Sequence, residues 1–314
     1  MGSPDQPADR RCDGVVVSFV IAQSVDEVVA AMAAGARPIA GGTDLVVGAR
    51  HGKAALPEVL VAIDRLTELK SITETSQGVS IGALVTHHDI ESHRLLTTVY
   101  AGLADGSALV GSPSTRHLGT LGGNLMNGSP AMDTGAALQV LGAEVELRSA
   151  RGSRRVPIAA LWARPGTTTA ASDELCVAIH IPKPEGNSGS AYLRLEYRRA
   201  MEIAVVGAGA SVTLGDDGSV AAVSVALTAV APIILGVTDL QSVLGLGIAD
   251  AAAAVQQLAS AQATPISDVR ASDRYRRHTV GVMARRAVEA AARRASGEVI
   301  STPVNRAIGI GAAS

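Results

Sequence analysis

Apolar side chains run almost unbroken through VVVSFVI, residues 15–21, which reads as a β-strand. SVDEVVAAMAAG then changes to a helical period. Ser24 stands at the N-cap, Glu27 three residues on completes a capping box, and Gly35 supplies the stop. RPIAGGTDLVV predicts a short strand that breaks in a glycine turn, and PEVLVAID predicts another buried strand. LKSITETSQGVSIGAL reads as a hairpin turning near Gln77-Gly78. Thr86 can cap a helix through HHDIESHRLL, and a second helix is predicted over residues 98–110.

The next segment, TRHLGTLGGNLMNGSPAMDT at 115–134, has neither a helical nor a strand period and is unusually rich in backbone. A helix follows over 134–141, and AEVELRSARGSRRVPI is a hairpin over Arg151-Gly152. Residues 182–190, PKPEGNSGS, are dense in Pro, Gly, Asn and Ser and mark a boundary. Beyond them SAYLRLEYRR, IAVVGAGASVTL and AAVSVALTAV predict a small antiparallel sheet, followed by Ala-rich helices over 250–263 and 272–295. The organisation is therefore a flexible start at 1–14, a first unit over 15–183, a second α+β unit over 188–296, and a flexible tail from 297 to 314. Strands alternating with helices, without internal repeats, place the whole in the α/β or α+β class.

Composition narrows the chemistry. A chain of 314 residues is long enough for two domains, and with aromatics at 2% the cores must be built from Ala, Val, Leu and Ile. A formal charge of −2 leaves no footprint for nucleic acid. Cys12 and Cys176, the two cysteines, cannot supply the four thiolates of an iron–sulfur cluster. No apolar run approaches ~18 residues, so no transmembrane helix is expected, and the polar N-terminus predicts a cytoplasmic protein.

Several motifs are decoys. VVGAGASV lacks the third glycine of a dinucleotide fingerprint, since Val212 stands there. His87-His88-Asp89 lacks the i, i+4 spacing of a zinc pair and reads as a solvated helix start. Gly52-Lys53 lacks the remaining elements of a P-loop. RASDRYRRHTVGVMARRA interleaves arginines with Tyr275, Val280, Val282, Met283 and Ala287, the pattern of a structural or docking helix.

Two segments remain, PIAGGTDL and GTLGGNL. Each ends a short apolar stretch in a Gly-Gly pair followed by a polar residue and Leu. Paired glycines let a ligand approach the peptide groups, and successive free N–H groups form an anion-binding nest. Two such nests converging would suit a pyrophosphate, with hydrogen bonds added by Thr43, Thr120 and Asn124. Asp133 is placed to accept from a ribose or ribityl hydroxyl.

AGGTDL, IGALVTH, TRHLGTLGGNLMNGSPAMDT, DELCVAIHIP, YLRLEYRR and SDRYRRH occur in the order found in one family. The chain resembles the FAD-binding medium subunits of molybdenum hydroxylases of the carbon monoxide dehydrogenase and xanthine dehydrogenase type, over residues 19–290. The resemblance implies an α+β fold: a two-part FAD-binding domain of the PCMH (vanillyl-alcohol-oxidase-like) type, then a small α+β domain with an antiparallel sheet. It places Ala40, Gly41, Gly42, Thr43, Asp44 and Leu45 with Thr120, Leu121, Gly122, Gly123 and Asn124 at the FAD pyrophosphate, and Asp133 at the sugar region. Val110 and Cys176 fall at positions lining the cofactor, where the family often has larger residues. Arg194 replaces the commoner lysine near the flavin, which keeps the charge but changes the geometry. Glu202 stands where aspartate is usual, beside the ring. Tyr192 and Tyr197 are the stacking candidates. The implied activity is an FAD-dependent oxidoreductase subunit with non-covalent FAD. It would receive electrons from 2Fe–2S clusters on a small subunit and pass them to NAD or another acceptor, with molybdenum–pterin on a large subunit of a heterotrimer that can dimerise. The alternatives are a stand-alone flavin oxidase or dehydrogenase, against which the absence of His or Cys in the glycine loops argues, and a scaffold without FAD.

Overall fold

Three short parallel strands come first. β1 (Ser18–Ile21), β2 (Arg37–Ile39) and β3 (Val59–Ala62) lie in the order β1-β3-β2, with α1 (Val25–Ala33) and α2 (Leu45–Arg50) in the connections. The computed structural model describes residues 18–52 and 55–309, so the predicted flexible start, Cys12, Lys53 and the first part of the 15–21 strand lie outside the described residues. Ser24 caps α1, accepting from the Glu27 N–H at 3.2 Å, while the Glu27 carboxylate reaches one residue further back than predicted, to the Gln23 N–H at 2.8 Å. Val25, Val28, Val29 and Met32 form the buried stripe of the helix.

The second sheet is antiparallel, in the order β4-β5-β10-β6-β7. Its strands are β4 (Ile72–Thr75), β5 (Gly78–Gly82), β6 (Glu144–Ser149), β7 (Gly152–Pro157) and β10 (Leu175–Pro182), with β8 (Trp162–Arg164) and β9 (Thr167–Thr168) forming a separate small hairpin. Six helices occupy the long connection between β5 and β6: α3 (His87–Ser92), α4 (Arg94–Thr98), α5 (Ala101–Leu109), α6 (Pro113–Leu118), α7 (Leu121–Asn127) and α8 (Asp133–Val140). Thr86 caps α3 in a full capping box with Asp89. The helix predicted over 98–110 starts instead at Ala101, because the Thr97 and Thr98 hydroxyls bond back to the carbonyls of residues 93–95 and end a separate short helix there. Every residue of α5 is buried, as expected of a helix packed on all sides.

The C-terminal sheet runs β11 (Asn187–Leu195), β12 (Val206–Leu214), β13 (Val220–Thr228) and β14 (Leu235–Gly236), all antiparallel neighbours in chain order. Strand β11 thus begins inside the segment expected as a boundary, and the crossing from β10 is confined to 183–186. Its residues alternate: Tyr192 joins the core of the second sheet and its helices, whereas Ala191 and Leu193 face the helices α9 (Ile248–Gln262) and α10 (Asp273–Ala295). Val280, Met283, Ala287 and Ala291 of α10 are buried there, so its arginines belong to the opposite side of an amphipathic helix, with Arg276 and Arg294 turned inward.

The tail departs from expectation. Residues up to 309 are placed, and α11 (Val304–Ala307) docks on β11. Strand β11 is an edge strand whose ladder groups lack a neighbour on one side. The Asn305 amide takes that place, accepting from the Arg194 N–H at 3.1 Å and donating to the Arg194 carbonyl at 2.8 Å. No helix among the described residues is long and apolar enough to cross a membrane.

Candidate functional site

The first glycine turn meets the second glycine segment directly. Gly41 lies against the end of α6 so closely that a Cβ there would sit 1.8 Å from the Leu118 carbonyl oxygen. Gly42 has φ +68°, a left-handed conformation that glycine adopts without strain. The N–H groups of Gly41, Gly42 and Thr43 make no hydrogen bond among the described residues. Three successive unpartnered amides beside a closely approached backbone are the donor set for a phosphate.

The second segment corrects the sequence reading. Residues expected as a second open nest form the start of α7, and their N–H groups are already taken. Leu121 and Gly122 donate to the carbonyls of Val85 and Ala83, both at 2.9 Å. Gly123 donates to the Thr120 hydroxyl at 3.1 Å, and Asn124 to the Thr120 carbonyl at 3.0 Å. Gly122 is small because α7 packs hard on the sheet: a Cβ there would lie 2.7 Å from the Ala83 Cβ. What this segment leaves to a ligand is the exposed edge at Gly123 and the side chains of Thr120 and Asn124, the latter also accepting from Thr134 at 2.6 Å.

At the other end of α6, about 9 Å along its axis, the remaining predicted residues gather. Val110 closes α5, the Gly111 carbonyl accepts from the Met201 N–H at 2.9 Å, and the Thr115 hydroxyl contacts the Met201 sulfur at 3.7 Å. The Glu202 carbonyl accepts from Arg194 at 3.3 Å, and its carboxylate pairs with Arg198 at 3.3 Å. Arg194 is fully buried between two carboxylates, donating to Asp133 at 2.7 Å and through Nε to Glu196 at 2.7 Å. The other oxygen of Asp133 accepts from the Tyr192 hydroxyl at 2.9 Å. Asp133 is thus committed to joining the two domains, and an added hydroxyl could use only its remaining lone pairs. Burial pushes its carboxyl upward, and the Arg194 charge opposes that shift.

Three other residues sit differently from their sequence reading. Tyr192, a stacking candidate, is completely enclosed and offers no ring face, whereas Tyr197 is 61% exposed with its hydroxyl on the Arg270 carbonyl. Cys176 faces the core of the second sheet rather than open space, and burial pushes its thiol up to about 12. Its neighbour Val177 supports the site from behind, accepting from the Ala83 N–H at 3.0 Å. His87, read as part of a solvated helix start, is buried against Gly119, whose carbonyl accepts from its N–H at 3.1 Å. Asp105 and its partner Arg294 escaped the sequence reading altogether. The Asp105 carboxylate accepts from Arg294 at 2.6 and 3.1 Å, from the Val304 N–H at 2.8 Å and from the Tyr192 N–H at 3.2 Å. A lone acid in the small apolar run GLADGSAL was the available signal. Among the described residues no three His, Cys, Asp or Glu side chains come together as a metal site. A hollow lined by Asn187, Leu214, Asp216 and residues 295–297 lies at the far end of the C-terminal sheet and shares no residue with the site.

Comparison with known proteins decides the family. Residues 15–184 match the FAD binding domain in molybdopterin dehydrogenase, and residues 191–291 match the CO dehydrogenase flavoprotein C-terminal domain. The chain belongs to the FAD-binding subunits of the molybdenum hydroxylases. It is 36% identical over 262 residues to the carbon monoxide dehydrogenase medium chain of Afipia carboxidovorans, covering 83% of this chain and 90% of that one. A match at 36% to the nicotinate dehydrogenase FAD-subunit of Eubacterium barkeri takes in 57% of this chain and 62% of that subunit, so it spans less than two thirds of that relative's length. The carbon monoxide dehydrogenase of Hydrogenophaga pseudoflava that lacks the Mo-pyranopterin moiety superposes with a TM-score of 0.84 at 29% identity, covering 88% of this chain and 98% of that chain. The flavin subunit is thus a member of an FAD-dependent oxidoreductase family, with the α+β fold of the medium chains. The Gly41–Thr43 amides fit the group that the family binds: an unpartnered donor run beside a backbone that tolerates no side chain.

Proposed function

We propose that this chain is the flavin-carrying electron-transfer subunit of a molybdenum hydroxylase complex. It would receive electrons from 2Fe–2S clusters on a small partner subunit and pass them to NAD or another acceptor, with the molybdenum–pterin centre on a large subunit. The observation that carries the reading is the unpartnered amide run at Gly41, Gly42 and Thr43 pressed against Leu118. The two cysteines add to it, since a chain that cannot hold a cluster of its own needs a partner to deliver electrons.

FAD, when bound, supplies the one- and two-electron chemistry. The chain's own residues bind and orient it. Gly41, Gly42 and Thr43, flanked by Ala40, Asp44 and Leu45, hold the diphosphate through backbone donors. Thr120 and Asn124, presented by the Leu121–Gly123 helix start, add side-chain contacts. Asp133 and Arg194 fix the junction of the two domains beside Glu202, where Val110 and Glu202 would border the flavin. Cys176, enclosed in the core of the second sheet, would act only through the packing of that sheet. Burial works against the charge of Arg194, but the Asp133 and Glu196 carboxylates outweigh it, so the guanidinium stays cationic and its charge is spent on holding those two carboxylates. The complex is cytoplasmic on this reading.

The test is purification of the chain with flavin and metal analysis. One FAD per chain, with no iron or molybdenum on the isolated subunit, is expected. Affinity capture from the native source should bring two further subunits carrying iron and molybdenum. A colourless protein that takes up no added FAD sinks the reading, and a lone flavoenzyme that oxidises its own substrate replaces the subunit role with a free-standing one.

A further inference from the structure

His87 is the residue at the site that the fold leaves unexplained. It is 1% exposed, its Nδ1 is wholly enclosed, and neither ring nitrogen makes a hydrogen bond among the described residues. Burial, helped by the nearby Arg116 charge, lowers its pKa to about 4, so the ring is neutral at ordinary pH. Its backbone has little freedom, being pinned to Gly119 on one side and to the Thr86 cap on the other. Buried polar groups in folded proteins almost always have partners, and one without lowers stability.

The Cδ2 edge of the ring, to which Nε2 is bonded, lies on the Gly119 side, away from the enclosed Nδ1. A Cβ built on Gly119 would lie 3.4 Å from His87 Cδ2 and 3.5 Å from Thr43 Oγ1, so imidazole and hydroxyl flank the same small gap. That gap adjoins the unpartnered amides of Gly41, Gly42 and Thr43. A ring nitrogen with no use inside the chain therefore borders a run of N–H groups with no use inside the chain.

We propose that His87 is a binding residue for the cofactor diphosphate, donating from Nε2–H to a phosphate oxygen beside the Gly41–Thr43 amides. The assignment rests on the FAD reading above. A neutral imidazole suits the place: with its proton on Nε2 it donates outward and keeps only a lone pair in the apolar interior. It also explains why a histidine stands where a leucine would pack at lower cost to the fold.

The test compares full-length apo wild type with His87→Leu and His87→Gln, titrated with FAD by flavin fluorescence and with ADP, which carries the diphosphate without the flavin. H87L should weaken FAD and ADP by about tenfold or more, the effect of losing a hydrogen bond to a charged group. Its apo form should melt no lower than wild type, because an unpartnered polar atom has gone. H87Q, which restores a donor, should recover part of the affinity. Wild-type affinity in a folded H87L overturns the assignment while leaving FAD binding intact. Failure of wild type itself to bind FAD overturns both readings. If H87L does not fold, His87→Asn, whose amide is too short to reach, replaces it: weaker binding than H87Q supports the assignment, and wild-type affinity in both overturns it.

Discussion

At the scale of single residues, His87 gives a pH signature independent of any ligand. Its folded pKa, about 4, lies below the unfolded value of 6.5. The unfolded chain therefore binds the extra proton first as pH falls. The stability that neutral His87 retains is complete above pH 6.5 and is lost progressively down to about pH 4, by on the order of 3 kcal/mol for this fully buried group. Urea titrations of apo protein at pH 7.5 and 4.5 should show wild type losing more stability than H87L across that window; equal losses would mean the ring is protonated without cost. Gly41 makes a contrasting case. Any side chain there collides with the Leu118 backbone, so Gly41→Ala should abolish FAD retention and lower the melting temperature of the apo chain as well. Gly123 is exposed, and a Cβ there meets only the Thr120 hydroxyl at 2.9 Å. Gly123→Val should therefore leave a folded apo protein that retains no FAD, checked by circular dichroism and flavin absorbance. Normal flavin content in that variant would remove the 120–124 segment from the site.

At the scale of elements, most of the chain was legible because period and caps are local. Ser24, Thr86 and the Gln77-Gly78 turn each do what their spacing predicts. Most of the misreadings share one cause, which is that packing against distant residues decided the outcome. The late start of the helix predicted over 98–110 is the local exception, set by the Thr97 and Thr98 hydroxyls. Gly122 and Gly123 look like a turn in isolation. They start a helix because Leu121 and Gly122 find the carbonyls of Val85 and Ala83 across the fold. Tyr192 looked like an exposed stacking ring, and the inward alternation of β11 buried it against Asp133. Residues after 296 are expected to be flexible because they end the chain, yet Asn305 completes an edge strand. Truncation after Gly297 should consequently expose the Arg194 backbone and leave the Asp105 carboxylate short of the Val304 N–H. We expect a loss of about 2–4 kcal/mol from two or three broken buried hydrogen bonds, measured by denaturant unfolding. A truncated chain as stable as the full one would show that α11 is dispensable.

At the scale of the whole molecule, the two domains are joined by charges that neither could bury alone. Asp105 on α5 meets Arg294 on α10, and Asp133 on α8 meets Arg194 on β11, so each pair takes one partner from either side. Such pairs contribute little against a well-packed apolar replacement, but removing one partner strands the other charge in the interior, at about 3–5 kcal/mol. This makes the pairs selective: they favour one seating of the domains over any shifted one. The cofactor residues depend on that seating, because Gly41–Thr43 and Thr120 belong to the first domain while Arg194 and Glu202 belong to the second. Asp105 bonds to Tyr192, Arg294 and Val304 and to none of the glycine-loop residues, which makes it the cleaner place to test the idea. Asp105→Leu should destabilise the chain by several kcal/mol, separate its calorimetric unfolding into two transitions, and weaken FAD although no cofactor contact has been touched. The double variant Asp105→Leu with Arg294→Met, which removes the stranded charge, should recover most of the stability and restore a single transition. If instead the double variant is as unstable as the sum of the two single ones, Asp105 and Arg294 act independently and the domain seating rests on apolar packing around Tyr192 and α8.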